Sequence, residues 1–482
     1  MVLGIPLALG LVVASCGSDD DSGDDAGSDD TSGSDDTAAP SDTGDSGDSG
    51  DTVEVRWFVG LGTGAEAEQI DRQNEFVDEF NASQDEVKLV VEYVDNDLAT
   101  DQLATQIAGG NAPDIVGPVG LEGSNKFAGQ YLDLEPLIES SGFDTSVYNP
   151  EEIEVWRDED GVLTGLPFAS YPSAIFYNSD LFDEAGLPYP PDAYGPDGIS
   201  TYGEGTEYEG EWNWDKLTEI AEILSVDANG NDATSPDFDI DDIVQWGYVN
   251  QWSHAPAAAG TTWGAGAIEQ ADGTAVVPPQ WVEQWKWYNE LTTVKGVAPT
   301  YDYQEGDVLA GNPFASGKVA MANTHLWYTC CVFQGDDPMT NWNLAALPNK
   351  DGVVVSRLHG DNFRILKDTE NPEAAFKVLS YMLDEGALDL LTVYGAMPSR
   401  SDIRDDYFAG LDATFTQGVN WDVILAGLDY PDVPNHQANM TKFLESDARI
   451  KELDIPLISD ANLDIDAAVE QLQADLEQIW GS

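Results

Sequence analysis

Apolar and polar side chains alternate along Val53 to Phe58 (VEVRWF), the period-two pattern of a strand with one buried face. A Gly-rich turn, Gly60 to Gly64, comes next, and from Glu66 to Asn81 the apolar residues Ile70, Phe76, Val77 and Phe80 share one face of a helix. Val87 to Tyr93 (VKLVVEY) reads as a second strand, Leu98 to Ala108 as a helix, and Asp114 to Val116 as a third strand announced by Ala112-Pro113. Strand, helix, strand, helix, strand implies right-handed crossovers and a mainly parallel sheet, hence an α/β lobe. Ligands of such sheets sit at the carboxyl ends of the strands.

Ahead of this body lies a different kind of sequence. Val2 to Val13 is continuously apolar but well short of the roughly 20 residues that span a bilayer. It runs into Val13-Ala14-Ser15-Cys16-Gly17, which resembles the bacterial lipoprotein signal, in which the Cys becomes the lipidated first residue. Residues 1–16 are therefore read as a signal peptide with Cys16 as lipid anchor, placing the protein on the outer face of the cell membrane. The basic start of such a signal is missing, and the first base is Arg56, which points to a translation start upstream of Met1. Residues 17–52 hold 13 Asp, no base and almost no apolar surface, so they are expected to form a disordered, self-repelling acidic tether.

Charge excludes one partner class. The chain has 90 Asp plus Glu against 19 Lys plus Arg, a net charge of -71 that repels a phosphate backbone. Without the 13 tether carboxylates, 77 acids still face 19 bases, an excess usual in salty surroundings, and nucleic acid is not expected as a partner. The turn GLGTG after the first strand lacks the Lys and Ser/Thr of a P-loop and the spacing of a dinucleotide fingerprint, so a nucleotide site is not read there. Beyond Cys16 the cysteines are the adjacent Cys330 and Cys331, open to a vicinal disulfide in an oxidising compartment or to two free thiols.

Seven segments in order carry a family resemblance: Val53 to Phe58, NAPDIV (Asn111 to Val116), LPFASYPSAIFYNSDLF (Leu166 to Phe182), W-x-W-D-x-L-x-E-I-A (Trp212 to Ala221), GKVAM (Gly317 to Met321), ENPEAAFKVLSYM (Glu370 to Met382) and YGAMPSR (Tyr394 to Arg400). Together they resemble the family 1 extracellular solute-binding proteins, the sugar-capturing lipoproteins of ABC importers. The resemblance implies a two-lobed periplasmic-binding-protein-like fold of type 2, each lobe a mainly parallel sheet flanked by helices, joined by a hinge. It places one lobe at 53–167 with 356–396 and the other at 168–355 with 397–482. It also implies a monomer that closes on its ligand and presents the closed state to a membrane permease.

A sugar cleft wants aromatic platforms for pyranose faces, with carboxylates and amides for hydroxyl edges. Of 14 Trp, Trp252, Trp263 and Trp327 fall in loops, with His254 beside the first, and the resemblance puts a stacking Trp at Trp327. Trp281, Trp285 and Trp287 lie in a helical run and read as packing. Gly62, Thr63 and Glu122 follow strands one and three, Tyr171 enters the second lobe, and Asp361, Asn362 and Arg364 cluster in HGDNFRI. Asn435 and His436 occupy a Pro-bounded loop where the family places cleft contacts; Arg400 reads as structural.

The run Asp227-Ala-Asn229-Gly-Asn231-Asp232 has the oxygen density of a calcium loop, but Gly230 is at the fourth position and no Glu at the twelfth, against the EF-hand pattern. A polar turn is the first reading, a structural calcium on Asp227, Asn229 and Asn231 the second; no cofactor is required. The functional expectation is a non-enzymatic receptor for a neutral sugar or oligosaccharide, delivering it to an ABC permease. A polyamine-like cation, drawn by the acidic field, is the alternative ligand, and a secreted glycosidase the alternative class, although no acid and base pair stands out.

Overall fold

The computed structural model describes residues 52–481 except 66, 159, 253–255, 333–338, 395 and 433–439. The signal segment, Cys16 and the tether to residue 51 lie outside the described residues, as do His254, Asn435 and His436.

The first strand, β1 (Val53–Val59), buries Val55, Trp57 and Val59 on one side as its alternation requires, and Phe58 on the other. Helix α1 (Ala67–Ser83) covers it with Phe76, Val77 and Phe80. Then come β2 (Val87–Tyr93), α2 (Asn96–Ala108), β3 (Ile115–Val119) and the single turn α3 (Leu121–Asn125). β1 pairs in parallel with both β2 and β3, the arrangement that strand-helix crossovers impose.

One strand organises the rest. β4 (Leu166–Asn178) is 13 residues long and buried at every position, possible because LPFASYPSAIFYN carries no charge. The remaining strands of the main sheet are β5 (Val249–Asn250), β6 (Met321–His325), β7 (Trp342–Ala345) and β8 (Leu358–Ile365). The first half of β4 pairs antiparallel with β8, which continues antiparallel onto β3. Beyond Pro172 it changes partners and pairs with β6 and β7. The eight-stranded order is therefore β2-β1-β3-β8-β4-β6-β5, with β7 also on β4. The outer strands β1, β2, β3 and the β5–β6 pair are parallel, whereas β4 and β8 cross antiparallel through the middle.

Helices complete the layers. In α4 (Trp214–Leu224) the cap Asn213 accepts from the Lys216 N–H at 2.8 Å, and Trp214, Leu217, Ile220, Ala221 and Leu224 form one buried stripe. α5 (Pro279–Thr293) buries Trp281 and Trp285 against the C-terminal helices, which are α7 (Phe443–Lys451), α8 (Asp454–Ser459) and α9 (Ile465–Gly481); the other long helix, α6 (Pro372–Leu383), packs on β1 and β8. Among the described residues no helix is long and apolar enough to cross a membrane.

Candidate functional site

The carboxyl ends of β1, β3 and β6 meet the crossing strands β4 and β8, and several of the candidate side chains collect there. After β1, the Gly62 carbonyl accepts from Asn96 Nδ2 at 3.3 Å, and Gln69 Nε2 donates to Thr63 Oγ1 at 3.3 Å. Gly62 passes so close to the end of β3 that a Cβ would stand 3.0 Å from the Pro118 oxygen. Beyond β3, a Cβ on Gly120 would come within 3.7 Å of Asp361 Oδ1, which brings the β3 loop onto β8. Tyr171 of β4 is almost buried and hydrogen-bonds Asp361. Burial pushes the Asp361 carboxyl up to about 6, against the opposing pull of that hydrogen bond.

From β6 an aromatic series leads outward. His359 of β8 stacks on His325 with ring centres 3.6 Å apart and planes 18° apart. His325 lies 6.1 Å and 12° from Trp327, which lies 6.0 Å and 6° from Trp252. Both tryptophans are half-buried. Burial, and then the Arg357 charge, hold His359 well below its usual pKa, so it is neutral at ordinary pH.

A charged layer adjoins this series. Arg357 is buried with its Nε 3.8 Å from Asp432 Oδ2, and the Leu358 N–H donates to Asp432 Oδ1 at 2.8 Å. Lys451 of α7 pairs with Glu122 of α3 at 3.3 Å and with Asp447 at 2.9 Å. Burial raises Asp432 to about 6, although Arg357 opposes it, and raises Asp454 likewise, against a hydrogen bond from the Ala257 N–H. Next to this layer is a cavity of about 470 Å³ lined by residues including Glu151, Glu154, Thr261, Val354, Tyr430 and Asp432.

Several sequence expectations change. Asn362 is fully buried: its Nδ2 donates to the Val119 carbonyl at 2.6 Å and to Ser124 Oγ at 3.1 Å. Arg364 points inward too, its Nε bonded to Asn362 Oδ1 at 2.9 Å, its NH1 to Thr164 and its guanidinium 4.6 Å from the Tyr131 ring centre. Both hold β8 to its neighbours, whereas Asp361 lies against the β3 loop at Gly120, the strand pairing shifting register between Asp361 and Asn362. Trp263 is a core residue, packed against Trp214 and Trp287 and covered by Lys350 at 4.4 Å.

The proposed calcium loop is a carboxylate-centred turn. Asp227 accepts from the N–H groups of Asn229, Asn231 and Asp239 and from Asn231 Nδ2, at 2.8 to 3.0 Å. Burial disfavours the Asp227 ion, but these donors outweigh it and hold its pKa below the usual range. A carboxylate so surrounded by N–H groups has no lone pair directed at a cation, so the polar turn is the better description. Among the described residues no group of three or more His, Cys, Asp or Glu is placed to hold a metal. Cys331 is buried and disulfide-bonded, while the side chain of Cys330 is outside the described residues.

Sequence reasoning missed His325, His359, Arg357, Asp432 and Lys451. A signal existed for the histidines: the chain has only 4, and His325 and His359 stand within two residues of Trp327 and Asp361. For Lys451 there was none, because its partner Glu122 is 329 positions away.

A family model described as bacterial extracellular solute-binding protein matches residues 67–388. A binding protein of Brucella abortus (strain 2308) is 26% identical over 316 residues, 64% of this chain and 67% of that protein. The sn-glycerol-3-phosphate-binding periplasmic protein of the same strain is 31% identical over 139 residues, 28% of this chain and 31% of that one. Among solved structures, an ABC substrate-binding protein from Listeria monocytogenes in complex with cycloalternan superposes with TM-score 0.61 at 22% identity, covering 89% of this chain and 100% of that one. The sugar-binding protein MalE from Xanthomonas citri gives TM-score 0.65 at 17% identity, covering 89% and 98%. At such identities the likeness is one of fold, and it is a two-lobed one.

Proposed function

The chain belongs to the bacterial extracellular solute-binding proteins, and from that premise we propose that it captures a neutral sugar or oligosaccharide and delivers it to an ABC import permease, without catalysing a reaction. The observation that carries this reading is the half-buried Trp252–Trp327 pair, joined through His325 and His359 to the crossing strands that carry the hydroxyl-binding groups Asp361 and Tyr171. Flat apolar faces with a few polar groups at one edge match the two kinds of surface a pyranose presents. Anionic ligands are disfavoured: the bases of the charged layer, Arg357 and Lys451, already face Asp432, Glu122 and Asp447.

Closure follows from the strand exchange in β4. A ligand touching the loops of β1 and β3 on one side and the aromatic pair on the other stabilises the state in which both approach, by its differential affinity. Anchoring through Cys16, with the acidic segment as tether, keeps this body at the membrane; a Cys16→Ser chain that stays in the membrane fraction refutes that part.

A second reading has its own observation. The 470 Å³ cavity is lined by Glu151, Glu154, Asp429 and Asp432 with Tyr430, a composition suited to an organic cation. A thermal-shift screen with neutral sugars, uronates and polyamines at high salt separates the two, because a ligand of the folded state raises its melting temperature. Stabilisation by a neutral sugar, with no product formed over hours, is the expected result; stabilisation by polyamines alone replaces the ligand and keeps the fold.

A further inference from the structure

The two tryptophans of the aromatic series come from segments 75 residues apart, yet their planes agree within 6°. Loops free to move independently do not hold two large rings parallel, so something fixes both. Trp252 itself sits at φ 45°, a left-handed conformation unusual for a bulky residue, which persists only where its surroundings impose it.

The turn 310–315 lies between the two segments and bonds to each. On one side the Trp252 indole N–H donates to the Gly311 carbonyl at 2.9 Å, and Gln251, fully buried, donates to Asn312 Oδ1 at 3.2 Å while accepting from the Phe314 N–H at 3.2 Å. On the other side the buried Tyr328 hydroxyl donates to the same Asn312 Oδ1 and accepts from the Ala315 N–H at 3.1 Å, and Asn312 Nδ2 donates to the Cys331 carbonyl at 3.1 Å. Among the described residues, Asn312 is thus the one side chain of the turn bonded to both segments, through an acceptor shared by Gln251 and Tyr328 and a donor used by Cys331. Each of those partners adjoins, or lies within four residues of, a stacking tryptophan.

We propose that Asn312 is a positioning residue of the ligand site, which acts through Trp252 and Trp327 by fixing their separation and common plane. Shared acceptors in a buried network couple the groups bonded to them, so a change at Asn312 reaches both rings at once. Ligand affinity is the functional readout, and this part rests on the sugar-binding reading above; the ring geometry does not.

The test uses the full chain labelled with 5-fluorotryptophan, the resonances of Trp252 and Trp327 being assigned by Trp252→Phe and Trp327→Phe. In Asn312→Ala those two resonances move and the other tryptophans stay within their linewidths. Affinity for maltotriose falls about tenfold, and the same substitution in a Trp327→Ala background costs less than about twofold, because neighbours in one network are not additive. Unmoved resonances, or an undiminished loss in the Trp327→Ala background, overturn the proposal. Asn312→Asp keeps the acceptor for Gln251 and Tyr328 and replaces the donor to Cys331 with an oxygen that repels its carbonyl, so it moves Trp327 more than Trp252; it carries the comparison if Asn312→Ala does not fold. If the wild-type chain binds no neutral sugar, the ligand reading falls and the fluorine resonances alone decide the role of Asn312.

Discussion

The aromatic series and the charged layer lie side by side at the same end of the sheet, yet they are held in different ways. Trp252, and Tyr328 beside Trp327, make neutral hydrogen bonds to a backbone carbonyl and a side-chain amide, whereas Arg357, Asp432, Glu122, Asp447 and Lys451 are held by charge. Neutral bonds respond weakly to salt and pH, while ion pairs respond to both: salt screens the exposed pairs and leaves the buried ones largely untouched, whose titration burial shifts instead. The difference separates the part of the candidate site proposed to shape recognition from the part whose stability depends on salt and pH.

The largest expected effect comes from the centre of the charged layer. Arg357→Leu leaves the carboxyl of Asp432 buried without its nearest base and should destabilise the fold by roughly 3–5 kcal/mol, read by chemical denaturation. A loss below 1 kcal/mol would show that the layer does not depend on the pair.

Acidity is the next lever. Asp432 has a folded pKa of about 6 against roughly 4 when unfolded, so the folded state holds its proton to higher pH. The stability this contributes is fully present below the unfolded value and is lost as pH rises through about 6, an order of 3 kcal/mol for a shift of about two units. Denaturation midpoints measured from pH 4 to pH 8 should fall over that window, Asp361 and Asp454 titrating in the same direction, and Asp432→Asn should make the fall shallower by its own share.

The aromatic side should behave differently under the same conditions. Trp327→Ala is expected to weaken sugar binding by roughly 1–3 kcal/mol through lost stacking, equally at low and high salt, with melting temperature nearly unchanged. Calorimetry that finds unchanged affinity removes Trp327 from the site. The smallest effect belongs to the exposed rim of the charged layer: Glu122→Gln breaks a pair in which both side chains are about 40% exposed, so it should cost roughly 0–1 kcal/mol at low salt and nothing at high salt. A salt-independent loss would mean that Glu122 acts on the ligand rather than on Lys451.

Much of the first lobe was legible from pattern alone. The alternation in Val53 to Phe58 and the helical spacing after it predict β1, α1 and β2 to within one or two residues at most ends, because each element answers to its own buried face. From sequence, the uncharged run around Tyr171 stands out as one of the family's segments and not yet as a strand. Its change of partner at Pro172 is not legible there either, since pairing depends on strands more than 140 residues further on.

The candidate site divides along the same line. Residue types and loop positions singled out Trp327, Trp252, Tyr171 and Asp361, and the fold brings Trp327 to Trp252 and Tyr171 to Asp361. The same reasoning selected Trp263, Asn362 and Arg364, which the fold turns inward, because composition marks a residue able to bind and says nothing about which way it faces. Local order, charge balance and the family of the chain were determined by the sequence itself, since they rest on periodicities and motifs within a few tens of residues. The register of the crossing strands, the pairing of Glu122 with Lys451 and the parallel set of two tryptophans were decided only by tertiary structure, because each depends on where distant segments come to rest against one another.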